Sequence, residues 1–236
     1  MGKVQGSTII PGLRRARIAA LLLFACGTTC FVGQAPRRTA ATHPTATAAK
    51  EDNTRPVLVC FGDSLTAGYG TEHGHSYPDY LQKDLDQLHF KYRVVNEGVS
   101  GNTTKDGVAR LPEVLKLHPV IAVVEFGGND GLRGLPISQT RANLDRIVRT
   151  LHQAGIAVVL AGITLPPQYG ADYVDQFNQI YVTLAKKYSV PMLPFLLQGV
   201  YGSPGMMQSD GIHATAKGNE VVARNVLNLL KPALKK

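Results

Sequence analysis

The chain has no tryptophan and only three cysteines in 236 residues. That excludes a disulfide-stapled scaffold and a four-cysteine zinc site. Charged residues are sparse at 18% while hydrophobic ones reach 44%, a balance no disordered chain shows. No apolar run approaches the about 20 residues that span a bilayer, and no internal repeat is visible. Cys60 lies within a short apolar run and reads as a small buried hydrophobe rather than a reactive thiol.

What is present in excess is positive charge, and it sits at one end. The net charge is +8, of which residues 1–55, with eight basic and two acidic side chains, hold +6. The remaining 17 basic and 15 acidic residues leave the body at only +2. Its Lys and Arg are scattered. A nucleic-acid surface needs clustered cations that displace counterions, so no nucleic-acid partner is expected.

The basic end has the anatomy of an export signal. Lys3, Arg14, Arg15 and Arg17 precede the apolar run Ile18–Ala25, with small residues beyond, which is the order of a secretory leader. Two outcomes stay open. Leu23-Phe24-Ala25-Cys26 resembles a lipobox, so that a lipidated Cys26 would tether the protein to a membrane; the other is ordinary cleavage between Gly27 and Ala35. Residues 1–35 are therefore expected to be a signal peptide or lipoprotein leader. Residues 36–55, rich in Ala, Thr and Pro without large apolar side chains, are expected to be a flexible tether. Export to a periplasm or cell envelope follows.

From Pro56 to Lys236 the pattern changes to that of one folded domain. Short continuous apolar runs occur at Val57–Phe61, Tyr92–Val95, Val120–Phe126 and Ala157–Ala161, with a weaker one at Met192–Phe195. Runs of that kind suit strands covered on both faces. Between and after them, Leu144/Ile147/Val148/Leu151, Phe177/Ile180/Tyr181/Leu184/Tyr188 and Val221/Val222/Val226/Leu229/Leu230 recur at helical spacing. Strand–helix alternation predicts an α/β fold with a parallel sheet between helical layers.

Function in such a sheet collects at the carboxyl ends of its strands. Four Gly-rich polar segments fall there or just before the last helix: Gly62-Asp63-Ser64, Gly98-Val99-Ser100-Gly101-Asn102, Gly127-Gly128-Asn129-Asp130 and Asp210-Gly211-Ile212-His213. A serine hydroxyl becomes a nucleophile when a histidine takes its proton and a carboxylate fixes the histidine tautomer. Ser64, His213 and Asp210 supply those three groups. The Ser64 and Gly101 amides and the Asn129 side chain supply donors for a developing oxyanion. Singly, each segment reads as a turn or cap; together and in this order they are far more specific. A flavodoxin-like phosphate binder is disfavoured because no P-loop lysine or dinucleotide spacing occurs. His73 and His75 lack carboxylate partners nearby and read as loop residues, so no metal and no cofactor is expected.

The four segments resemble the blocks of the SGNH (GDSL) hydrolase family. The likeness extends to GDSLTAGYG at Gly62–Gly70, EFGGNDGLRG at Glu125–Gly134, LPPQYG at Leu165–Gly170, VPMLPF at Val190–Phe195, VYG at Val200–Gly202 and MQSDGIH at Met207–His213. These stretches resemble in particular the family's bacterial periplasmic acyl-CoA thioesterase, lysophospholipase and arylesterase subgroup. The resemblance implies a flavodoxin-like three-layer α/β/α sandwich of about five parallel strands over residues 56–236. It implies a serine esterase and thioesterase in which Ser64 is the nucleophile, His213 the base and Asp210 its orienter. Ser64, Gly101 and Asn129 would form the oxyanion hole. Thr164, Leu165, Pro166 and Tyr169 would belong to a mobile segment shaping the acyl pocket. Asp63 is expected to orient the nucleophile turn, Asp130 to support the Asn129 loop, and Arg133 to pair on the surface. Ala214 departs from the proline common after the histidine. A small-molecule ester or thioester is the expected partner and a monomer the expected state. A carbohydrate O-acetylesterase, or a non-catalytic binding module, remains the alternative on the same fold.

Overall fold

A computed structural model describes residues 54–236; the expected leader, and the tether but for its last two positions, lie outside the described residues. Five strands form the sheet: β1 (Val57–Gly62), β2 (Arg93–Gly98), β3 (Pro119–Glu125), β4 (Ala157–Ala161) and β5 (Met192–Leu193). All neighbours pair in parallel, in the order β2-β1-β3-β4-β5. β1 is buried at every position, and β3 at all but Val120, as strands covered on both faces must be. The sheet has the flavodoxin order, with the expected layers on each side.

Seven α-helices accompany the strands in the described residues: α1 (Ser64–Ala67), α2 (Tyr77–Gln87), α3 (Thr104–Lys116), α4 (Gly128–Leu132), α5 (Ile137–Gln153), α6 (Ala171–Tyr188) and α7 (Ala216–Leu230). The crossover helix α2 and the terminal helix α7 pack together on one face. The succession α3, α5, α6 covers the other. The helical stripes read from sequence point inward: Leu144, Ile147, Val148 and Leu151 of α5 are wholly buried, as are Phe177 and Ile180 of α6. Each such side chain contributes about 1.5–3 kcal/mol. Phe61 and Phe126 meet edge to face at 4.7 Å at the centre of the site-bearing end.

Two strand boundaries differ from the sequence expectation, and two helices go beyond it. β2 runs on through Asn96, Glu97 and Gly98, because an edge strand is solvated on its open side and needs no apolar residues there. β5 contracts to two residues between Pro191 and Pro194, since proline cannot donate to a ladder. α2 and α3, which no long apolar stripe announces, each carry a proline, Pro78 in the first turn and Pro112 in the interior. Both start on a carboxylate that accepts the preceding cap's N–H: Asp79 from Ser76 at 2.9 Å and Asp106 from Thr103 at 2.8 Å.

Candidate active site

The strand order decides which loops meet. β1 lies between β2 and β3, and successive connections leave β1 and β3 in opposite directions. Their carboxyl ends therefore flank the crevice where ligands bind in such sheets. Asp63 and Ser64 follow β1, Gly101 and Asn102 follow β2, and Asn129 follows β3. The segment before α7 brings Asp210 and His213 over the same point.

Asp63 caps α1, its Oδ1 accepting the Leu65 N–H at 3.0 Å, so Ser64 stands on the first helical residue with its side chain half-buried. The Ser64 Oγ lies 2.8 Å from His213 Nε2, and His213 Nδ1 lies 2.7 Å from Asp210 Oδ2. A carboxylate only accepts, so in the neutral ring Nδ1 carries the proton and Nε2 accepts from the Ser64 hydroxyl. The other Asp210 oxygen accepts the Ile212 and His213 N–H groups at 2.9 and 3.0 Å. Burial works against ionisation of Asp210, but the His213 backbone, the His213 ring and the Ile212 N–H outweigh it and push the carboxyl down to about 2.

The histidine segment is pinned although proline is missing at Ala214. Gln208 donates from its side chain to the Tyr69 carbonyl at 2.7 Å and the Ala214 carbonyl at 2.9 Å, and from its N–H to the His213 carbonyl at 2.8 Å. Met207 and Ala214 pair as a short antiparallel bridge. The Tyr69 ring covers the imidazole at 4.7 Å between centroids.

Asn129 Nδ2 donates to Asp63 Oδ2 at 3.1 Å and to the Asn102 carbonyl at 3.0 Å. Both its hydrogens are engaged, so a substrate oxygen here must share one. Gly101 takes a left-handed φ of 82°, which glycine alone adopts without cost, and its carbonyl accepts from Arg133 at 3.0 Å. Arg133 thus holds the loop that follows β2 instead of pairing with a surface acid. Behind Asn129, the buried Asp130 accepts the Thr104 N–H at 2.8 Å and the Thr104 and Thr140 hydroxyls. That ties α4 to α3 and α5.

Beside Ser64 opens a cavity of about 570 Å³. Leu65, Leu132, Ile163, Val174, Phe195, Leu197, Tyr201 and Ile212 make its wall mainly apolar, and Thr164, Leu165 and Pro166 join it. Tyr169 stands outside the lining. Its hydroxyl donates to the Leu132 carbonyl at 3.1 Å and its ring stacks on Tyr173. Sequence reasoning gave no role to Leu197, nor to Phe195, Tyr201 and Gln208 within the motifs quoted above, since none carries a chemical signature of its own. Cys60 is fully buried and burial pushes its thiol up to about 12, which keeps it unreactive. Among the described residues no three His, Cys, Asp or Glu gather as metal ligands.

A flavodoxin-order sheet carrying a hydroxyl, an imidazole and a carboxylate in series beside an apolar cavity defines a class, the α/β ester hydrolases. Residues 60–221 match the GDSL-like lipase/acylhydrolase family, and the chain belongs to it. It is 40% identical to esterase TesA of Pseudomonas aeruginosa over 179 residues, 75% of this chain and 89% of that protein. It is 41% identical to thioesterase 1/protease 1/lysophospholipase L1 of Escherichia coli over 177 residues, 75% of this chain and 84% of that protein. The crystal structure of TesA superposes with a TM-score of 0.72 at 40% identity, covering 75% of this chain and 98% of that one.

Proposed function

We propose that this enzyme hydrolyses carboxylic esters and acyl thioesters through an acyl-enzyme on Ser64, as its esterase and thioesterase relatives suggest. One observation carries the reading: the unbroken series Asp210–His213–Ser64, with contacts of 2.7 and 2.8 Å, at the mouth of an apolar cavity. Ser64 Oγ attacks the carbonyl carbon while His213 Nε2 takes its proton. Asp210 stabilises the imidazolium that forms. The carbonyl oxygen, now negative, receives hydrogen bonds from the Ser64 and Gly101 N–H groups and from Asn129. The intermediate collapses as His213 protonates the leaving alcohol or thiol. Water, deprotonated by the same imidazole, then releases the acid and restores Ser64.

The acyl chain fits the apolar cavity, where Thr164, Leu165 and Pro166 form part of the wall. An acetyl group would leave most of that volume empty, which favours longer acyl groups over an acetylated sugar. Ser64→Ala should cost at least about 10³-fold in kcat on p-nitrophenyl esters; wild-type turnover in that variant would refute the mechanism.

The same reading places the enzyme outside the cytoplasm as a monomer. The support for export is the basic leader and the Ala-, Thr- and Pro-rich tether, without large apolar side chains, that precede the domain. Mass spectrometry of the native N-terminus distinguishes a lipid on Cys26 from simple cleavage.

A further inference from the structure

Glu125 is the one charged residue of β3, it is completely buried, and the acyl-enzyme mechanism gives it no task. Its Oε2 accepts the Asp63 N–H at 3.1 Å and the Thr66 hydroxyl at 2.8 Å. These two donors flank Ser64 on either side, one residue before it and two after. We propose that Glu125 is a positioning residue for ester cleavage, a carboxyl clamp beneath α1 that fixes the turn from which Ser64 projects. The inference rests on the acyl-enzyme reading at Ser64.

Geometry also sets the state in which the clamp works. Glu125 Oε1 is buried without a hydrogen-bond partner, whereas Asp63 uses both its oxygens, on Leu65 N–H and on Asn129. Two carboxyls in one dry pocket do not ionise together. The groups facing Glu125 are Asp63 on the turn, Tyr77 on α2 and Tyr181 on α6, and none of the three is a cation; His213 reaches Asp63 from the solvent side. The proton that the pair retains therefore sits on Glu125, and Oε2 serves as the acceptor for both donors. Burial first, and the neighbouring Asp63 second, push Glu125 well above the usual carboxylate range, in the same direction.

The clamp accounts for Gly62 as well. A Cβ there would lie 2.1 Å from Thr66 Oγ1, 2.5 Å from Glu125 Oε2 and 2.6 Å from the Glu125 carbonyl. The glycine ahead of Asp63 and Ser64 is the space that Glu125 and Thr66 occupy.

The test compares Glu125→Gln, Glu125→Ala and Thr66→Val with Ser64→Ala on one p-nitrophenyl ester, with folding followed by circular dichroism. The glutamine amide oxygen keeps both bonds without a charge, so its kcat should stay within about threefold of wild type. Removing the acceptor in Glu125→Ala should lower kcat about 10- to 100-fold, with KM held within about twofold, because the loss is one of nucleophile placement and not of acyl binding. Thr66→Val, nearly isosteric, removes one arm and should lower kcat about tenfold with the same split; it carries the question if the alanine variant does not fold. A Glu125→Gln protein that is unfolded or as slow as Ser64→Ala overturns the proposal, and so does an unchanged kcat in Thr66→Val or in folded Glu125→Ala. Activity surviving in Ser64→Ala would instead bring down the acyl-enzyme reading itself.

Discussion

Ser64 has an aspartate on each side, and the two are held in opposite ways. Asp210 faces solvent, with 37% of its side chain exposed. Three hydrogen bonds, from the His213 and Ile212 N–H groups and from the His213 ring, bring its carboxyl down to about 2. Asp63, only 2% exposed, is pushed up to about 6 because burial outweighs the bonds it accepts from Leu65 and Asn129. One residue type thus does two jobs. On the wet side a firmly ionised carboxylate holds a histidine ring; on the dry side a reluctant one joins the turn that bears Ser64 to Asn129. Ionisation is set by the surplus of donors over lost water, and the two sides of the site differ in that surplus.

Experiments that remove one aspartate at a time probe this difference. The largest effect is expected from Asp210→Asn, which leaves the shape but no longer imposes the Nδ1–H tautomer. Its kcat should fall about 10³- to 10⁴-fold while urea unfolding stays near wild type. Asp63→Ala should do the reverse in proportion. It orphans the Leu65 N–H and one Asn129 hydrogen in a buried place, for a loss of about 2–3 kcal/mol in unfolding free energy, together with a roughly 10²-fold slower reaction through the displaced Asn129. Equal stability losses in the two variants would erase the distinction between the wet and dry sides.

The pH dependence carries opposite signs. The folded value of Asp210 lies below the ordinary 3.8, so its contribution is present above pH about 4 and is lost as pH falls towards 2. The folded value of Asp63 lies above 3.8, so its contribution is present below pH about 4 and is lost as pH rises through about 6. Melting temperature recorded from pH 3 to 7 should therefore carry a downward component between about 4 and 6 that Asp63→Asn removes. A difference curve that is flat across that interval would contradict the dry-side assignment. The smallest effect belongs to Gln208→Ala. It unfastens the histidine segment from Tyr69 and Ala214 and should slow turnover about three- to tenfold, with the pH optimum unmoved.

The wet side is legible in the sequence and the dry side only in part, since Asp63 and Asn129 stand in polar Gly-rich segments whereas Glu125 does not. Ser64, Asp210 and His213 sit in polar, Gly-rich segments between apolar runs, where a reactive residue type stands out. The order of four such segments identifies the crevice before any fold is drawn. Glu125 lies inside the apolar run Val120–Phe126, next to its end, and nothing local marks it; its work depends on β1 pairing with β3, a contact 62 residues apart that local pattern does not encode. Gly62 reads as a turn residue for the same reason, though the neighbours it makes room for come from another strand. The sheet followed from alternation of apolar runs, whereas α2 and α3 are blurred by Pro78 and Pro112. Tyr169 shows the limit of reading by resemblance: it belongs to the segment that shapes the cavity, yet its ring is spent on Leu132 and Tyr173 and not on the wall.

The stunted fifth strand has its own consequence for the protein's life at high concentration. An open sheet ends in rows of unused amide and carbonyl groups, and a second chain can dock there and propagate a fibre. At this end Pro191 and Pro194 bracket a strand of two residues, and neither offers an N–H to an incoming backbone. At the opposite end β2 presents Arg93, Asn96 and Glu97, whose charge and hydration resist a dry seam with another copy. Both margins of the sheet are thereby closed to growth, and the molecule can crowd its own kind without templating aggregation.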